Sequence, residues 1–116
     1  MFESCTSLTT APELPATTLT SNCYNHMFYG CTSLTTAPVL PATTLAESCY
    51  MNMFQGCSSL NYIKAMFTSN PGMTDIMGWV IGVASSGTFV KNTNATWTNT
   101  GTSGVPSGWT VEYALN

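Results

Sequence analysis

The chain has 116 residues and a formal charge of −3, with 44% hydrophobic but only 6% charged side chains, against about a quarter charged in an ordinary soluble domain. That length allows one small domain, and its two cations, Lys64 and Lys91, form no basic patch to neutralise phosphates, which argues against nucleic acid as a partner. No apolar run approaches the roughly 18 to 20 residues that span a bilayer, and no charged n-region leads into an apolar core at the start. The chain is therefore expected to be a piece of a longer protein or to reach its location without a signal peptide.

In chain order, the first 26 residues, MFESCTSLTTAPELPATTLTSNCYNH, are nearly rewritten as MFYGCTSLTTAPVLPATTLAESCYMN over the next 26. A step of this size marks a solenoid, in which each unit buries its apolar side against its neighbours. Met1, Met27 and Met53 are then expected one above another. Within a unit, Leu34, Ala37 and Leu40 come every third residue, while Pro38 and Pro41 lack an amide hydrogen. That pattern describes a short extended segment that turns sharply. In the second half, Leu45, Cys49, Met53 and Cys57 are four apart, with Tyr50 and Phe54 beside them. This spacing predicts one face of a short helix, capped by Thr43 or Thr44 and ended by Gly56.

The third unit keeps the period while its letters drift: Trp79-Val80 falls under Met53-Phe54, Gly82 under Gly56 and Val83 under Cys57. From Ser85 onward, residues 87–91 and 109–113 alternate and are rich in β-formers, separated by a turn-rich stretch. The expected architecture is thus an α/β repeat. It comprises a short leucine-rich-repeat solenoid over 1–84, with strand-plus-short-helix units 1–26, 27–52 and a degenerate 53–78. A small β-rich C-terminal cap follows over 85–116. The first unit has no such cap, so upstream repeats or a homo-oligomeric contact are expected at its bare face.

Chemistry is sparse. Cys5, Cys31 and Cys57 share one repeat position, and Cys23 and Cys49 another. With no C-x-x-C pair, the favoured reading is a column of buried thiols serving as small apolar fillers. A Cys23–Cys49 disulfide is the sharper alternative. His26 lies between Cys23 and Cys31, but Asn52 and Gly78 replace it in later units, which marks a turn position rather than a metal ligand. The carboxylates Glu3, Glu13, Glu47, Asp75 and Glu112 are scattered, and a single histidine makes a Ser-His system improbable. Asn94-Ala-Thr96 matches a glycosylation acceptor and reads as loop sequence. Trp79, Trp97 and Trp109 read as cap core, Trp97 having the most loop-like setting. No catalytic residue, metal or cofactor is expected.

The Cys-x-x-Leu and Leu-Pro anchors at Cys5/Leu8/Leu14-Pro15, at Cys31/Leu34/Leu40-Pro41 and in part at Cys57/Leu60 resemble the BspA-like, or Treponema-type, leucine-rich repeats. The tail around 82–91 and 104–111 is similar to the ending of Thr-rich members found in surface or secreted proteins of gut bacteria and in their phages. The unit here is a few residues longer than the commoner form, and Ala37-Pro38 replaces its usual strand step. The resemblance implies a curved solenoid used for adhesion or recognition, at an extracellular, cell-surface or virion location.

What remains is surface. Outward residues of the extended segments form a column of Thr9 and Thr10, Thr35 and Thr36, then Asn61 and Tyr62, whose hydroxyls, amide and phenol suit a polar ligand such as a glycan or a protein. The expected function is a non-enzymatic recognition or adhesion module. A structural capping or assembly domain without a ligand of its own is the alternative.

Overall fold

The computed structural model describes residues 6–9, 24–68 and 74–114, and none of them is helical. Among these residues, strands occur in one parallel sheet: β1 (Tyr62–Ala65), β2 (Thr88–Asn92) and β3 (Thr110–Ala114), in the order β1-β2-β3. The expected α/β leucine-rich solenoid of strand-plus-helix units is therefore overturned. The described chain is a small β-rich domain built of stacked coils.

Residues 46–57 show what replaces the helix. Odd-numbered amides close turns three residues back, Cys49 onto Ala46, Met51 onto Ser48, Met53 onto Tyr50, Gln55 onto Asn52 and Cys57 onto Phe54. Even-numbered amides leave the coil: Tyr50, Asn52, Phe54 and Gly56 donate to the carbonyls of Asp75, Met77, Trp79 and Ile81 at 2.8–3.0 Å. One coil earlier, Tyr24, His26, Phe28 and Gly30 donate to Cys49, Met51, Met53 and Gln55 in the same way. An α-helix directs its amides to carbonyls four residues back in the same segment, so a run that gives every second amide to its neighbour is not one.

The backbone marks the same period. Ser48, Asn52 and Gly56 have φ of 55°, 55° and 83°, and the aligned His26, Gly30, Gly78 and Gly82 are also positive. Turns 50–53 and 54–57 thus have φ > 0 at their third residue alone, as type II turns require. Gly tolerates that conformation without penalty and Asn at little cost. The four-residue spacing of Cys49, Met53 and Cys57 is the period of this turn ribbon, close enough to 3.6 to imitate a helical face over a few turns.

Up to β2 the coils repeat with a step of 25 or 26, as in the pairings of Leu40 with Ala65 and Tyr62 with Thr88. Tyr24 stacks on Tyr50 at 6.1 Å, and Phe28 on Phe54 at 5.8 Å with ring planes 4° apart. Met27 and Met53 occupy aligned buried positions, while Met1 lies outside the described residues. On the sheet side, isolated bridges join Thr36 to Tyr62 and Leu40 to Ala65, and Pro38 between them has no amide to give. Both aromatic columns end on Trp79. This side chain is wholly buried, with its ring centroid 6.0 Å from Tyr50, 6.2 Å from Phe54, 6.1 Å from Phe67 and 5.9 Å from Phe89.

Each tryptophan ties its indole N–H to a distant carbonyl: Trp79 to Gly104 at 2.9 Å, Trp97 to Phe67 at 3.1 Å and Trp109 to Ala84 at 2.8 Å. Trp97 is buried despite its loop-like setting, stacked on Phe67 at 4.5 Å. Trp109 closes across Gly87, where an added Cβ would lie 2.5 Å from the Asn61 carbonyl oxygen and 2.8 Å from Trp109 Cε2. Gly87→Ala is expected to cost about 1–3 kcal/mol through this overpacking. The measurement is the urea midpoint at constant slope, and an unchanged midpoint would contradict the close approach of Trp109 to this strand.

Candidate functional site

Alternation along β1 and β2 separates the two faces of the sheet. Ile63 and Phe89 are wholly buried on the inner face, so Tyr62 and Thr88 point outward. Thr36 bridges to Tyr62, Tyr62 pairs with Thr88, and Thr88 pairs with Thr110. The result is one row of hydroxyl-bearing side chains across four coils, with strand-to-strand steps of about 4.8 Å. The next outward row runs Lys64, Val90, Glu112. Its cation and carboxylate are two strands apart, roughly 9.5 Å at that spacing, and Val90 between them is buried.

Of the residues named from sequence, the structure brings Thr36 and Tyr62 together in this row, Thr36 exposed and Tyr62 half-buried. Thr35 and Asn61 are both exposed and adjacent, the Asn61 amide donating to the Thr35 carbonyl at 2.9 Å. That second column does not continue, because Gly87 follows Asn61 and Trp109 covers it. Thr9 is exposed beside Leu8, which packs on the core, and Thr10 lies outside the described residues. Sequence reading missed Thr88 and Thr110. A further step of 26 from Tyr62 reaches Thr88, but the next step is only 22, so the fixed period passes Thr110 by.

The inner chemistry is quiet. Among the described residues no three of His, Cys, Asp and Glu gather as a metal site would require. His26 Nδ1 bonds the side-chain oxygen of Asn25, and its ring tilts against Tyr29 at 5.4 Å. The disulfide alternative involves Cys23, outside the described residues; Cys31, Cys49 and Cys57 are buried. Lys91 is the buried cation: its Nζ donates to the Trp97 carbonyl at 2.9 Å and sits 4.3 Å from the centroid of the Trp97 ring. Burial holds its ammonium below the ordinary lysine value. A hollow of about 170 Å³ lies between the third coil and the following loop, lined by Val80, Val83, Ala84, Thr102, Pro106 and Ser107 among others. It is smaller than the roughly 300–1,000 Å³ of ordinary small-molecule sites. The outer row, by contrast, carries a hydroxyl group on each of four successive coils.

No protein family, curated protein or solved structure matches this chain.

Burial pushes the Cys57 thiol from 9.0 up to about 12, offset in part by the Cys31 backbone amide. The thiol itself donates to the Phe28 carbonyl at 3.0 Å. Between pH 9.0 and about 12 the unfolded thiol has lost its proton and the folded one keeps it. Folding binds a proton in that window, so stability falls as pH rises through it. Cys57→Val, which installs the residue found at the aligned Val83, is expected to remove about 1.4 kcal/mol of that decline per pH unit. Urea unfolding of both proteins between pH 8.5 and 11 checks this; parallel curves would show that the thiol ionises equally in both states. Lys91 contributes the opposite slope and is common to both proteins.

Proposed function

We propose that this protein is a non-enzymatic recognition module displayed outside a cell or on a virion, and that the outer row Thr36, Tyr62, Thr88 and Thr110 binds a repeating polar polymer, best a glycan. The observation that supports this reading is the register: four coils carry a hydroxyl group at one lateral position. A ligand with its own repeat meets the same donor and acceptor at each step. Tyr62 adds a ring on which a sugar face can lie, and Lys64 and Glu112 flank the row with one charge of each sign. Little side-chain entropy opposes binding, since Thr has few rotamers and Tyr is half-buried already.

A glycan array, with intact bacterial and host-cell surfaces beside it, tests the proposal. Tyr62→Ala and the double variant Thr36→Ala/Thr110→Ala are each expected to weaken whatever binding the array finds by at least about tenfold, the effect of roughly 1.4 kcal/mol. Thermal midpoints of the variants establish that they remain folded. An array and cell panel with no ligand, or a ligand held equally well by both variants, would overturn the reading.

A further inference from the structure

Among the described residues, the β3 edge of the sheet is unpaired. On β3 the Thr110 amide donates to the Gly87 carbonyl and the Ala114 carbonyl accepts from the Thr93 amide, both at 2.9 Å. Residues facing one neighbour alternate in a parallel ladder, so Thr110, Glu112 and Ala114 turn their backbone groups to β2. The N–H and C=O of Val111 and Tyr113 point the other way, where no described strand pairs with them. Their side chains are uncovered too: Val111 is 37% and Tyr113 61% exposed, although Phe89 and Lys91 beside them on β2 are at 0% and 6%.

We propose that a second copy of this chain pairs on that edge, β3 against β3 and antiparallel about a two-fold axis, with Val111 opposite the partner's Val111. Residues directly opposite in an antiparallel pair lie on one face of the sheet, so a two-fold axis can pass only through a residue of the strand and not between residues. Centring on Glu112 sets two carboxylates side by side, a destabilising pair. Centring on Tyr113 sets the Glu112 carboxylate against an alanine methyl. Centring on Val111 is self-complementary. Val111 exchanges both backbone bonds with its counterpart, Thr110 offers its hydroxyl to the partner's Glu112, and Tyr113 reaches beyond the start of the partner's strand, where the Trp109 amide is already given to Pro106. The inner face then sets valine against valine at the axis, a β-branched cross-strand pair of the kind that stabilises sheets. Charge at a sheet edge ordinarily discourages pairing; here Glu112 selects the register. The contact is short, which places the dimer among weak associations, with a Kd on the order of 0.1–1 mM. This inference rests on the β3 edge, whose Thr110 also belongs to the outer row, and its tests read self-association rather than glycan binding.

Sedimentation equilibrium up to about 1 mM is expected to show a reversible dimer in that affinity range. Amide exchange at Val111 and Tyr113 is expected to slow with concentration, while that at Thr110, already bonded to Gly87, stays constant. Val111→Pro removes an outward N–H and no bond to β2, and it is expected to abolish the dimer with the thermal midpoint retained. Glu112→Gln is expected to change the Kd by less than about threefold, a fraction of a kcal/mol. A strict monomer at the highest concentration would overturn the proposal, as would a dimer untouched in folded Val111→Pro. Tightening of tenfold or more in Glu112→Gln would do so as well, since it would show the two carboxylates facing each other. Should Val111→Pro fail to fold, the wild-type exchange pattern decides: protection confined to residues outside β3 refutes the edge.

Discussion

Every second amide of the turn ribbon belongs to the coil above it, and the rest of the molecule follows from that division. A coil taken alone leaves the amides of Tyr50, Asn52, Phe54 and Gly56 without their carbonyls, and an unmade buried hydrogen bond costs about 1–3 kcal/mol. Coils must therefore stack in register, and register brings Tyr over Tyr and Phe over Phe. The third coil shows how the ladder closes. Its Gly78 and Val80 amides find the Ser103 hydroxyl and the Thr102 carbonyl, both supplied by a loop rather than by a further ribbon.

The same constraint explains a composition poor in charge and rich in Thr, Ser and Asn. Turns that need φ > 0 at every fourth residue call for Gly and Asn, and coil-to-coil contacts are made by short polar side chains. Ser48 Oγ donates to Thr74 Oγ1 at 2.9 Å, and Asn92 Nδ2 to the Met66 carbonyl at 3.1 Å. Long charged side chains have little place in such a stack. The buried Lys91 is accommodated through a main-chain carbonyl and an aromatic face.

Much of the stacking was legible in the sequence. The step of 26 placed Trp79 in line with Met53, and the three-residue spacing within a unit found Leu34, Ala37 and Leu40, all buried here. The alternating stretches 87–91 and 109–113 lie one residue from β2 and β3. The turn ribbon was misread because i, i+4 spacing is shared by a helix and by consecutive four-residue turns. A discriminating sign was present: Ser48, Asn52 and Gly56 recur every fourth residue, with His26 and Gly30, and Gly78 and Gly82, aligned to them. A helix interior pays up to about 1 kcal/mol for each such glycine, whereas a left-handed turn position gains from it. The outer row was found only in part, since Thr110 follows a shortened coil that no fixed period reaches.

The separation of partners along the chain also governs how the molecule forms. A bond such as Phe54 to Trp79 joins groups 25 residues apart, so each requires a loop of that size to close before anything is gained, at an entropic cost that hardly depends on which coil comes first. Assembly of this kind is slow to nucleate and then proceeds by accretion, each finished layer templating its neighbour. The aromatic columns meet at Trp79, so the layers on either side of it share the contacts of one side chain.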